Sequence, residues 1–178
     1  MMKHEKQDLS ALTEKLMIEN VNLSVLTEVM MIETTGFSVE EAATEAAMYE
    51  RIEKLQDTFL VAKTESGKVA GFIVACASNV RYITDELFEN VRKNEGTDDY
   101  LLVLSLAVLP EFQHQGIAGK LLLALENVAK KQQRKAISLT CLAEKIGFYE
   151  VNGYRNEGVS TSSHAHEVWY NLVLELAY

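Results

Sequence analysis

Residues Tyr100 to Val108, YLLVLSLAV, set a single serine among eight apolar or aromatic side chains, with no polar–apolar alternation. A strand of that kind hides both faces, so it belongs inside a sheet that is covered on each side. Pro110 stops it, since proline brings no N–H to a ladder. A helical pattern follows from Ile117 to Lys130, with Leu121, Leu122, Leu125 and Val128 on one side. A buried strand feeding an amphipathic helix demands sheet and helix layers around one core. The 178 residues suit one domain, and the single Pro leaves no Pro-rich linker to divide it.

The rest of the chain fits the same plan. Leu16 to Val21 reads as a first strand. Asn22 or Ser24 caps a helix carrying Leu26, Val29, Met30 and Ile32, and Gly36 ends it. Ser38 with Glu41 forms a capping box, which predicts a second helix through Ala42, Ala46, Tyr49 and Ile52. Its outer face is acidic, through Glu40, Glu41, Glu45 and Glu50. Thr58–Ala62 and Val69–Cys76 form a hairpin around Glu65-Ser66-Gly67-Lys68. Residues 77–98 are a polar insertion with a short helix between Thr84 and Val91, and Asn94–Asp99 is its most mobile part. Beyond the central helix come a strand (Ala136–Cys141), a short helix (Ala143–Val151) and two strands, Tyr154–Val159 and Glu167–Leu176, joined by Ser160–His166. The expected class is one α/β (α+β) domain on a mixed sheet, with residues 1–14 a loosely packed N-terminus.

Charge narrows the partners. Lys and Arg total 17 against 26 Asp and Glu, a net charge of −9 and a pI near 5.0. Such a surface suits nucleic acid poorly, since that binding leans on Lys and Arg. The polar start, MMKHEKQDLS, lacks the apolar stretch of a secretion signal, and no window reaches membrane-spanning length. Cys76 and Cys141 show no metal-ligand spacing and read as buried thiols. The expectation is a cytoplasmic protein, monomer or homodimer, with no metal, membrane or nucleic-acid partner.

Gln113-His114-Gln115-Gly116-Ile117-Ala118-Gly119-Lys120 links the central strand to its helix. Small residues there let backbone N–H groups converge on an anion, aided by the helix dipole. The spacing matches neither a Walker loop nor a dinucleotide fingerprint. On physical grounds alone, an ordinary strand-to-helix turn and a phosphate cradle both stand. The motif Gln113-x-x-Gly116-x-Ala118 resembles the acetyl-CoA loop of the GCN5-related N-acetyltransferase (GNAT) superfamily. Leu104–Val108 resembles the strand before that loop, and Phe148-Tyr149-Glu150-Val151-Asn152-Gly153-Tyr154 resembles its tyrosine segment. Phe37–Ala43 and Trp169-Tyr170 look most like the bacterial relatives of the arylalkylamine N-acetyltransferases.

The resemblance implies a mostly antiparallel sheet flanked by helices, the acyl-CoA N-acyltransferase fold. It implies direct attack of a primary amine of a small molecule on the thioester of acetyl-CoA. A protein or peptide acceptor, or a non-catalytic acyl-CoA-binding module, are the alternatives. By resemblance the diphosphate lies on the backbone of Gln115, Gly116, Ile117, Ala118, Gly119 and Lys120 beside Gln113. The pantetheine arm pairs with Leu106, Ala107 and Val108. The Val108 N–H meets the developing oxyanion, and Tyr149 protonates the leaving thiolate, its other reading being a packing residue. His114 is expected to face solvent, and Asn152 to cap a helix.

Departures from the family pattern matter as well. The arylalkylamine enzymes carry two histidines on the central strand, and Leu102 and Leu104 stand there in this chain. Leu142 replaces a common cofactor-contacting asparagine. The proton acceptor is therefore open among Glu33, Glu41, Asp99 and a water chain. Glu33, Glu41, His164 and His166 are the candidate acceptor-binding residues.

Overall fold

The computed structural model describes residues 15–178; the expectation for residues 1–14 lies outside them. Seven strands form one sheet: β1 (Met17–Asn20), β2 (Phe59–Lys63), β3 (Val69–Ser78), β4 (Tyr100–Val108), β5 (Ala136–Cys141), β6 (Arg155–Val159) and β7 (Tyr170–Glu175). Their order is β1-β2-β3-β4-β5-β7-β6. Every pairing is antiparallel except β4 with β5, giving the mixed, mostly antiparallel sheet expected. The apolar run does lie in the middle.

Helices cover both faces. α1 (Leu26–Gly36) and α2 (Glu45–Lys54) bury Val29, Ile32, Met48 and Ile52 against Phe59, Phe72 and Leu102. On the other face α4 (Ile117–Lys131) buries Leu121, Leu122 and Leu125 against Ile73, Leu101 and Val103. Each such side chain contributes about 1.5–3 kcal/mol on burial. The short α3 (Glu86–Glu89) lies in the insertion, and α5 (Ile146–Val151) precedes β6.

β4 carries a bulge. Val74 of β3 pairs with Ser105, but the next residue, Ala75, pairs with Val103, so Leu104 is extra. An extra residue resets the alternation of faces. Leu102, Leu104 and Ala107 join the core under α1 and α2, while Leu101, Val103, Leu106 and Val108 face α4.

Several expectations need correction. Ser38 and Glu41 make both capping-box bonds, Ser38 N–H to Glu41 Oε2 (2.9 Å) and Glu41 N–H to Ser38 Oγ (3.3 Å). They close a turn rather than start a helix; α2 begins at Glu45, capped by Thr44 Oγ1 accepting from Ala47 N–H at 3.2 Å. The helix expected over Thr84–Val91 is only Glu86–Glu89. The Asn94–Asp99 segment is well anchored: Ala77 N–H donates to Asn94 Oδ1 (2.7 Å), Arg92 to buried Asp98 (2.6 Å), and buried Arg134 to Glu95 O (2.7 Å). Glu167–Trp169, assigned to the last strand, belong to the preceding connection.

Candidate active site

Parallel pairing of β4 with β5 covers only Tyr100–Leu102 against Ala136–Ser138. Beyond that point β5 pairs with β7 alone, through Leu139–Cys141. The β4 edge from Val103 to Val108 is therefore unpaired toward β5, and it opens onto a cavity of about 920 Å³. Unpaired ladder groups in a cleft are what an extended amide-bearing chain pairs with.

One end of this cavity is the glycine turn. Gly116 has φ +79°, left-handed backbone that suits glycine. Gly119 packs close to Asn152, where an added Cβ would come within 3.2 Å of Oδ1. Gln113, Gly116, Ile117, Ala118 and Gly119 line the cavity. Gln113 Nε2 donates to Val108 O at 3.0 Å, tying the turn to the strand end. Two of the expected cofactor residues stand differently. The Lys120 N–H closes the first helical bond, to Gly116 O at 3.0 Å, so it is not free for an anion. Gln115 donates its side-chain amide to Glu111 O at 3.1 Å, and neither it nor Lys120 lines the cavity. His114 is exposed as expected, but at the rim.

The middle of the cavity brings together Leu106, Ala107, Val108, Cys141, Leu142 and Tyr149. Tyr149 projects from α5, with Phe148 and Tyr154 rings edge-on at 5.0 and 5.8 Å. Burial raises its phenol above the usual tyrosine range, and pushes the Cys141 thiol up to about 12. Both groups thus hold their protons at neutral pH. Asn152 caps α5, its side-chain amide donating to Phe148 O at 2.8 Å.

The far end is walled by Phe37, Phe88, His164 and Trp169, with Glu33 and Glu41. His164 stacks on Phe88 at 4.4 Å, its Nε2 lies 3.3 Å from Glu41 O, and Trp169 Nε1 donates to His164 O at 2.7 Å. Ser162 Oγ donates to Asp85, and Ser163 N–H donates to Asp85 Oδ2 at 3.2 Å, fastening the β6–β7 connection to the insertion. Glu33 is buried, and Oε1 accepts from Ala43 N–H (2.9 Å) and the Ser105 hydroxyl (3.1 Å). Burial raises its carboxyl above the ordinary range, while the Ala43 N–H, Arg51 and Ser105 hold it back.

Two candidates do not reach this site. His166 is exposed and away from the lining, and Asp99 pairs with Lys135 (2.7 Å) at the opposite end of β4. Two residues escape a sequence reading: Arg51, which lies in an otherwise solvated-looking helix pattern, and Ser105, the lone polar side chain of the buried run.

The fold agrees with what comparison finds. The chain belongs to the GNAT acetyltransferase family: the model for the acetyltransferase (GNAT) domain matches residues 56–156. No curated protein sequence matches it. Among solved structures it is similar to the ribosomal-protein-S18-alanine N-acetyltransferase of Escherichia coli, at 17% identity and TM-score 0.69, covering 92% of this chain and 96% of that one. It is similar to the Escherichia coli GNAT family N-acetyltransferase YhbS in complex with CoA, at 15% identity and TM-score 0.68, covering 94% and 85%. It is also similar to the GNAT-like decarboxylase GphF in complex with isobutyryl-CoA, at 14% identity and TM-score 0.76, covering 90% and 100%. At these identities the likeness is one of fold, and the fold alone does not name an acceptor.

Proposed function

We propose that this chain transfers the acetyl group of acetyl-CoA to a primary amine of a small molecule. The observation that carries this is the unpaired β4 edge, running between an amide-lined glycine turn and an acidic, aromatic-walled pocket. Acetyl-CoA, when bound, supplies an activated acyl carbon and a thiol leaving group. The free N–H groups of Ile117, Ala118 and Gly119 grip its diphosphate at the α4 N-terminus. Leu106–Val108 pair with its pantetheine amides. The Val108 N–H points a fixed dipole at the oxygen where charge develops, and such dipoles cost no reorganisation during reaction. Tyr149 gives its proton to the departing sulfur, for which a protonated phenol is the right state.

The fastened β6–β7 connection walls the acceptor end with His164 and Trp169, which favours a small acceptor over a polypeptide. Glu33 and Glu41 give that end the sign that suits an ammonium group. Phe37–Ala43 and Trp169, the segments resembling the arylalkylamine branch, both line it, which makes arylalkylamines the first amines to try. Two free, buried thiols suit a reducing cytoplasm.

The deciding experiment is CoA release from acetyl-CoA with arylalkylamines, polyamines, amino sugars and peptides. Turnover is expected with at least one small amine and little with peptides. Acetyl-CoA binding without turnover of any amine would leave only a binding module, and turnover confined to peptides would replace the acceptor class.

A further inference from the structure

Glu33 of α1, Arg51 of α2 and Ser105 of β4 converge beneath the acceptor end, with relative exposures of 1%, 2% and 5%. Burying two opposite charges rarely stabilises a fold on balance, so this pair calls for a use. Its contacts are directional. Arg51 Nη1 donates to Ser105 Oγ at 3.3 Å, and Nη2 to Phe88 O at 2.7 Å. The Ser105 hydroxyl passes its own proton toward Glu33 Oε1 at 3.1 Å. Glu33 Oε2 has no donor among the described residues, a rare condition for a buried carboxylate oxygen. Glu33 and Ser105 both line the cavity.

Building on the amine-acetylation reading, we infer that Glu33 takes the proton the acceptor ammonium must lose, by way of the Ser105 hydroxyl, and that Arg51 positions Ser105 and supplies the nearby counter-charge. An ammonium donating to Ser105 Oγ passes its proton there as the hydroxyl's own proton moves to Glu33. The freed nitrogen bonds to the acetyl carbon, the carbon–sulfur bond breaks, and sulfur takes the Tyr149 proton. The second surplus proton on nitrogen restores Tyr149 through solvent, and the Glu33 proton leaves with the products. Ammonium and thioester thus yield amide, thiol and one released proton.

Arg51 matters because a buried carboxylate without a counter-charge takes up a proton and stops being a base. A guanidinium stays charged and keeps Glu33 ionised. The other groups nearby are Glu50, beside Arg51 on α2, and Cys76 of β3, whose thiol burial pushes up to about 11. Glu41 and His164 line the same cavity. β4 brings no ionisable group to this spot, only Ser105.

Carbon-13 NMR of side-chain-labelled glutamate, with the Glu33 signal assigned by its loss in Glu33→Gln, needs no acceptor. Glu33 is expected to be ionised at neutral pH in the wild type, and to titrate at higher pH in Arg51→Met, with Arg51→Lys restoring much of the difference. Should Arg51→Met fail to fold, Ser105→Ala gives a shift of the same sign. A protonated Glu33 at neutral pH, or a titration indifferent to these changes, overturns the inference. In CoA-release assays with 2-phenylethylamine, or the fastest amine of the panel if that is silent, Glu33→Gln should lower kcat by roughly 10²–10⁴-fold. Acetyl-CoA affinity should be unchanged, and Arg51→Lys should move the acid limb of the kcat profile to higher pH. Wild-type turnover in Glu33→Gln sinks the inference and spares the acetyltransferase reading. A wild type silent with every amine sinks that reading instead.

Discussion

Gly71 offers a way to disturb the proposed oxyanion amide from behind, without touching the cofactor cleft. It sits on β3 directly across from Val108. A Cβ there would lie 2.8 Å from Ala107 O, 3.0 Å from Val108 Cγ2 and 3.2 Å from Val108 Cα. The worst of these is 0.6 Å short of the 3.4 Å at which ordinary contact begins, and the obstacle is backbone, which has no rotamer to change. Gly71→Ala must therefore push the Ala107–Val108 segment outward. Overpacking of this kind costs about 1–3 kcal/mol. A stiffer unfolded chain offsets about 0.4–1 kcal/mol of that. The net of about 1–2 kcal/mol predicts a Tm lower by about 2–8 °C in a domain this size. A misplacement of about 1 Å costs about 10²-fold in rate, so half that displacement predicts about a tenfold fall in kcat. Thermal melting by circular dichroism and steady-state CoA release measure the two. A variant with wild-type Tm and kcat would refute the idea that β3 sets the position of a catalytic Val108 amide. A lower Tm with intact kcat would refute only the catalytic half.

Other perturbations separate the remaining roles. Tyr149→Phe should reduce kcat about 10²-fold or more in CoA release, with acetyl-CoA affinity by calorimetry nearly kept. Gly116→Glu places a side chain at φ +79° and a carboxylate at the diphosphate site, and should abolish acetyl-CoA binding in calorimetry while the fold persists by circular dichroism. Hydrogen bonds from Arg81 and Tyr82 hold the Glu157 carboxyl down at about 2. A depressed carboxyl contributes stability above its unfolded value of 4.5 and loses it as pH falls toward the folded one. Wild type should therefore melt above Glu157→Gln at neutral pH, by no more than about 1 kcal/mol for a partly exposed pair, and the gap should close below about pH 4.5. A gap that is constant with pH in thermal melts would remove the ion pair as its source.

What was legible in the sequence was local. The buried run at Tyr100–Val108, the stop at Pro110 and the small residues of Gly116–Gly119 state their structure within a few neighbours, while the fold class followed from the mixed order of helices and strands along the chain and from the family resemblance. Tyr149 and Asn152 were legible for the same reason, lying in one short helix and its cap. Misreadings arose where a local signal served a distant contact. The Ser38–Glu41 pair has the chemistry of a helix start, yet the turn it closes carries Ala43 N–H onto Glu33, 2.9 Å away. Asn94–Asp99 reads as a free loop because its polar residues look solvated. Their partners, Arg134 and Ala77, come from separate elements.

The strand bulge sets which side chains of β4 share a face with the two leucines that stand at the related enzymes' histidine places. Position-for-position matching assigns the histidine places to Leu102 and Leu104, and both do face the α1–α2 side. Regular alternation would send Ser105 to the α4 side, away from Glu33. With Leu104 as the extra residue, Ser105 instead falls on the α1–α2 side, within 3.1 Å of the Glu33 carboxylate. A bulge of this kind leaves no mark in a run of leucines, since nothing in their side chains favours one register over its neighbour. The same extra residue comes just after β4 parts from β5, so the hydroxyl it turns toward Glu33 lies on the unpaired stretch of the strand. On the proposed reading, one backbone irregularity would serve both substrates, placing a polar group for the amine beside open amides for the thioester.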